Sequence, residues 1–493
     1  LYCEKCAPEF TIQYGGSMKP SNAKELMEKA YAAVLKNVEP LNRIYDWGIP
    51  QELMEKTTPI IDLDPVFKGE RLQYLIEKYG FREVTSPKQS VLEVLSGNIQ
   101  GNPFVLQKIL DCSIVDKKYS GSLTIHWTTT YRDKNGTHTR HHSQTLVASI
   151  YRPAPSYKTL TQLAFGSEAA PNLHFSRKPI HAEKMDDKER EKYISKTIKK
   201  LDSKEAKDLG RSENFTKLGN DEFDALFGAF DRDNEIQFRL LYTPLAQRNT
   251  LELLKDKSPF GDDFYLKKDG MVTVVQSEHS QKFDYSSTPS TFFGYDVSKM
   301  KEKFVNYCDD FIKNLFFDLA PIISVPLYQM HKPGEYIYEN QYRSNLSSFE
   351  QEVLANSLDA GLFKPKEASN NIPLILKAKE AAKRGSGDSV RIDALSFIET
   401  PMVEYVPKMG GDGRSHLVPV HWIKYDEVHK QSNMGIGQVN GTREKYLEKC
   451  KDNFGGSISS IRTAFQRGLL AIFEGDEEYL EDINNSLVEL FKD

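Results

Sequence analysis

Ser122-Leu123-Thr124-Ile125-His126-Trp127-Thr128-Thr129-Thr130-Tyr131-Arg132 is followed by Asp133-Lys134-Asn135-Gly136 and then by a second run, Thr137 to Tyr151. Both runs are rich in Thr, Val and aromatics. An Asn-Gly pair between two such runs is the strongest short-range signal of a β-hairpin. Closing the turn at Asn135-Gly136 sets Thr129 opposite His142 and Thr145 opposite His126. The same signature recurs where Phe264 to Lys268 and Met271 to Gln276 flank Asp269-Gly270, and where Val390 to Val406 and His416 to Tyr425 flank Gly410-Gly411-Asp412-Gly413. These hairpins decide the fold class: α+β, with antiparallel hairpin-built sheets, packed helices and two or three domains.

Helices are expected around them. Leu26, Ala30, Ala33 and Val34 share one face of a helix capped by Ser21 or Asn22. Leu72, Leu75, Ile76 and Tyr79 do so between Gly69 and Gly80. Ser86-Pro87 reads as the start of a short helix carrying Val91, Leu92 and Val94. Phe223 to Phe230 and Ile236 to Tyr242 read as strands, and Thr243-Pro244 opens a helix through Leu254. A long helix starts near Ser298. Helices are also expected over Ser347 to Ala360, Pro373 to Arg384, Ile458 to Phe473 and Tyr479 to Phe491. The expected organisation is an N-terminal segment (1–60), a helix-and-hairpin domain (61–181), a charged helical tether (182–219) and a larger α+β domain (220–493).

The chain has 493 residues, 65 basic against 70 acidic, for a net charge of −5. Apolar residues make 39% and include 27 Phe and 24 Tyr, enough to fill real cores and to exclude a disordered tail or a collagen. A globally basic nucleic-acid binder is excluded too, so nucleic acid is not expected among the partners. The most apolar long stretch, Leu315 to Tyr328, is broken by Asp318, Pro321 and Pro326. It falls short of the ~20 residues a membrane span needs and reads as a buried, kinked helix.

Five cysteines argue against a disulfide framework. Cys112, Cys308 and Cys450 read as isolated thiols. Cys3 and Cys6 form a CxxC knuckle, the spacing that lets two thiolates reach one zinc ion. Zinc wants four ligands, so this reads as half of a zinc ribbon whose other half precedes Leu1. A metal-free thiol pair and a redox pair are the competing readings.

Other constellations are weaker. Asp62 and Asp64 share a face if extended and suit a divalent ion, but capping of the helix after Pro65 is the preferred reading. His138 and His142 share a strand face, while His141 points away and His126 sits on the partner strand, so the histidines spread along the ladder instead of converging on a metal. Gly261-Asp262-Asp263 reads as a plain turn. Gly435-Ile436-Gly437 lacks the third glycine of a dinucleotide site, and Gly385-Ser386-Gly387 lacks the Lys-Ser/Thr of a phosphate loop. The aromatics and Arg343 between Tyr328 and Arg343 suggest a recognition patch, set against a strand pair packed on the long helix.

Asp221-Glu222-Phe223-Asp224-Ala225-Leu226-Phe227 and Arg239-Leu240-Leu241-Tyr242-Thr243-Pro244, continued through Leu319 to Tyr328, resemble a bacterial membrane-associated family of unknown function (domain of unknown function 3137) over about a quarter of the chain. The resemblance implies bacterial origin and association with the inner membrane through helices near the N-terminus, which are not found between Leu1 and the hairpin. It carries no catalytic residue. The resulting expectation is a non-catalytic binding or scaffold protein with a protein partner, cytoplasmic or peripheral to the bacterial inner membrane. The alternative is a metal-dependent hydrolase or transferase using Asp62 and Asp64 with His138 or His142.

Overall fold

The structure, a computed structural model, describes residues 25–30, 33–34, 37, 42, 44–82, 86–134, 136–209, 216–257, 259–285, 288–330, 345–384, 387–438 and 463–475. The Cys3/Cys6 knuckle, Cys450, the expected helix at Tyr479 to Phe491 and the aromatics between His331 and Arg343 lie outside these residues.

Two antiparallel sheets organise the fold, as the hairpins predict. The first contains β1 (Ile61–Leu63), β2 (Gln89–Ile99), β3 (Asn102–Asp133), β4 (Gly136–Gly166), β5 (His174–Arg177), β6 (Phe264–Asp269) and β7 (Val272–Ser277), in the order β1-β2-β3-β4-β7-β6-β5. The second contains β8 (Ile375–Arg384), β9 (Gly387–Met409), β10 (Ser415–Gln438), β11 (Thr463–Gln466) and β12 (Leu469–Gly475), in the order β11-β12-β10-β9-β8.

Against the first sheet pack α1 (Ile49–Thr57), α2 (Gly69–Tyr79), α3 (Asp187–Leu209), α4 (Asp221–Phe227), α5 (Glu235–Leu241), α6 (Pro244–Lys255), α7 (Val297–Ile323) and α8 (Pro326–Met330). Phe223, Phe227, Phe238 and Tyr242 meet Phe175 in one aromatic cluster. The charged helix α3 is not solvated all round: Tyr193 and Ile194 pack on this core, and Thr197 and Leu201 are buried. Leu315, Leu319, Ile322, Val325 and Tyr328 are buried around Pro321, as expected of a kinked core helix. Among the described residues no helix is long and apolar enough to cross a membrane.

Four local expectations are corrected. The Val91-Leu92-Glu93-Val94 run is strand β2, not a helix. It joins β3 through a two-residue loop with Gln100 at φ 51° and Gly101 at φ 87°, the left-handed pair that a tight hairpin of this twist requires. Phe223 and Ile236 lie in helices, because Asn220 and Asn234 accept from the Phe223 and Gln237 amides as N-caps. Ile375–Arg384 is strand despite its helix-forming Ala, Lys and Glu, since pairing along β9 overrides propensity. Thr463 to Gly475 is a hairpin turned by Arg467 (φ 51°) and Gly468 (φ 73°), so the expected helix to Phe473 does not form there.

A buried helix, α9 (Ser348–Ser357), lies between the sheets. Its Glu350 is fully buried and pairs with Arg467 while accepting from the Phe67 amide. Glu352 does more. Strand β2 has an irregularity between Val91 and Glu93, and β8 has one between Ala378 and Glu380. The Glu352 carboxylate accepts from the amide of Val91 (2.8 Å) and of Ala378 (3.3 Å) and pairs with Lys377 at 2.8 Å. One side chain thus satisfies a donor freed by the bulge in each sheet.

Candidate interaction surface

The strands of both sheets outrun their neighbours. β3 and β4 have 32 and 31 residues, but β2 accompanies β3 only to Asp111 and β7 accompanies β4 only from Leu163. Beyond this the pair runs as a ribbon for more than 20 residues, on the order of 70 Å at ~3.3 Å per residue. β9 and β10 leave their sheet in the same way beyond Leu395 and His429.

The two ribbons pack face to face. Ile125, Leu146, Ala148 and Ile150 of the first bury Val418 and Val420 of the second, with Tyr119, Leu123, Trp127, Val406 and Trp422 alongside. Gly121 permits this closeness: a Cβ there would collide with the Pro419 carbonyl oxygen. The second ribbon's turn settles on Trp127, where the Gly411 amide donates to Gln144 Oε1 at 2.6 Å. Arg152 pairs with Glu404 and lies over the Trp422 ring. The result is a two-layer arm rooted in both sheets.

Both outer faces of the arm mix polar and apolar side chains; on the first ribbon Val147 and Tyr151 are exposed on the outer face. On the first ribbon, Ser120 pairs with Ser149 (2.8 Å) and Thr124 with Thr145 (3.0 Å), and Thr130 stands beside Thr139. On the second ribbon the outward face carries Val403, Tyr405, Met409 and Leu417, 44%, 61%, 66% and 59% exposed, with Pro407 and Pro419 directly across from Leu417 and Tyr405, and with Ser415 and His421 across from Met409 and Val403. Large apolar side chains exposed side by side on a rigid sheet face mark a docking surface. Prolines at 401, 407 and 419, like Pro153 and Pro155 on β4, remove edge donors, so strand addition is disfavoured and docking falls to the face.

The sequence-derived site residues do not converge. Asp64 is held by Arg71 (2.9 Å) and by Ser96 Oγ (2.8 Å), so it neither caps α2, whose N-cap is Lys68, nor stands open to a metal. Asp62 is exposed beside Asn98 at the root of the sheet, whereas His138 is near the distal turn. His138 pairs with Asp133 (3.1 Å) and stacks on Tyr131; His142 stacks on Trp127. The hairpin closes at Asp133–Gly136, so Trp127, not Thr129, lies opposite His142: the turn sits one residue earlier than the Asn-Gly pair suggests. Among the described residues no group of three or more His, Cys, Asp and Glu is arranged to hold a metal.

Sequence reasoning missed a buried polar chain. Asp262 and Asp263, expected in a plain turn, both point inward: Asp262 pairs with fully buried Arg177, and Asp263 Oδ2 bonds His279 Nδ1 at 2.7 Å. The far nitrogen of His279 lies 3.4 Å from Asp318, to which Tyr285 donates, and the Tyr285 amide donates to Glu93. Burial pulls the His279 pKa down, but the Asp263 hydrogen bond and the charges of Asp318 and Asp263 outweigh it and hold it above its ordinary value. Burial and the neighbouring Asp284 push Glu93 up to about 7, against Lys108. The array resembles acid–base machinery, yet His279 is 3% exposed and Asp318 2%. A cavity lined by Glu93, Tyr285, Gln51 and Arg467 adjoins the Glu93 end of this chain and has room for ordered water. The fold is of the α+β class, with this polar chain buried inside it and the arm extending from its two sheets. Comparison with family models, curated proteins and solved structures gave no match.

Proposed function

We propose that this chain is a non-catalytic binding or scaffold protein that presents the two-ribbon arm to a protein partner. The carrying observation is the exposed apolar face of Val403, Tyr405, Met409 and Leu417 on a support whose other face is already packed. Rigid aromatic and aliphatic anchors of this kind carry most of the energy in protein interfaces. The hydrolase alternative is disfavoured because Asp64 is engaged and Asp62 is remote from His138 and His142. A photo-crosslinker placed at Tyr405 in the producing cells is expected to yield one discrete adduct that the same probe at exposed Ser203 does not. No adduct at Tyr405, or the same adduct from both positions, removes the reading. The envelope association implied by the family resemblance belongs to the same proposal, and flotation with anionic vesicles is its measurement.

A further inference from the structure

The first ribbon outreaches the second. Past Trp127 and His142, where the Gly410–Gly413 turn ends its cover, residues 128–134 and 136–141 are exposed on both faces. This free tip spans six residue pairs, from Thr128–His141 to Asp133–Gly136, about 17–20 Å. Its charges are Arg132, Lys134 and Arg140 against one carboxylate, Asp133, which is bonded to His138. Over residues 113–156 there are six basic residues and two acidic ones, inside a chain whose net charge is −5. Charge is thus strongly segregated onto this ribbon.

The tip carries cations on both faces. Arg132 shares one with Thr128, Thr130, Thr137, Thr139 and His141; Arg140 shares the other with Thr129, Tyr131 and His138. A flat acidic partner would meet only one of them. A groove walled by two rows of phosphates meets both, and arginine, lysine and threonine are among the side chains that contact phosphates. A major groove about 12 Å wide admits a two-stranded ribbon. We propose that the free tip of the β3–β4 ribbon inserts into the groove of a double-helical nucleic acid, with Arg132, Lys134 and Arg140 on its phosphates. Net charge over the whole chain conceals this local surface.

The test is fluorescence anisotropy of the full chain with a labelled 20-base-pair duplex of mixed sequence, across a salt series. The expected result is binding that weakens steeply with salt. The triple variant Arg132→Gln/Lys134→Gln/Arg140→Gln is expected to lose at least tenfold in affinity at low salt and to flatten the slope by about 2.7, near 0.9 per phosphate contact. All three positions are exposed, and an unchanged circular dichroism spectrum verifies the fold; Arg132→Lys/Arg140→Lys is expected to retain binding. No retention at 50 mM salt, an unchanged triple variant, or equal affinity for single strands or heparin overturns the proposal. The substitution Tyr405→Ser on the other ribbon is expected to leave duplex binding intact, so this inference and the protein-docking reading fail separately.

Discussion

His279 shows how much a single buried residue can commit. It is flanked by Asp263 and Asp318, with Tyr285 on the far oxygen of Asp318 and the Phe260 and Phe317 rings covering it. Its raised pKa means the folded chain holds a proton there that the unfolded chain releases first. The stabilisation is therefore fully present below the ordinary histidine value and is lost as pH rises through the folded value. His279→Gln is expected to lower the urea midpoint clearly at pH 6 and much less at pH 9; an equal loss at both would show that the charge contributes nothing. Lys268 has the opposite sign. Fully buried, with its Nζ on the Gly270 carbonyl at 2.7 Å, it has its pKa pushed down to about 7, so its contribution to stability rises with pH from there toward the ordinary lysine range.

At the scale of elements, the hairpins were legible because their turns carry local chemistry, as at Asp269-Gly270 and Gly410 to Gly413. Misreadings arose where the local signal was divided. Val91 to Val94 suits a helix or a strand by period, and Ile375 to Arg384 favours helix by composition until β9 supplies a ladder. Asn220 and Asn234 were the usable signals for α4 and α5, since Asn before an apolar run at spacing three and four is an N-cap. Glu352 was invisible, because its role depends on bulges in strands nearly 300 residues apart. Glu352→Ala would leave the buried Val91 amide without its acceptor, at about 1–3 kcal/mol, and the part-buried Ala378 amide as well, at less. Chemical unfolding is expected to show a loss of a few kcal/mol, with amide exchange accelerated at both Val91 and Ala378.

For the whole molecule, the sequence held both faces of each ribbon as alternating patterns and could not say which face would be covered. That depended on β3–β4 meeting β9–β10 across some 270 positions. Nor could the candidate site be found from catalytic motifs: its parts are exposed apolar and basic side chains, ordinary in isolation and distinctive only once the ribbon has left the sheet. The pairing of ribbons rests on Gly121. Gly121→Ala is expected to force the Pro419 carbonyl away, at about 1–3 kcal/mol as for an overpacked core. Amide exchange at Val418 and Val420 is the measurement, and unchanged protection there would refute the ribbon contact.

Because β3 and β4 pass from the sheet into the arm without a break, the arm is also a handle. A pull at the Asp133–Gly136 turn draws both strands the same way past β2 and β7, so their hydrogen-bond ladders carry the load together in shear instead of unzipping one pair at a time. Whatever grips the distal end tugs directly on the core of the protein.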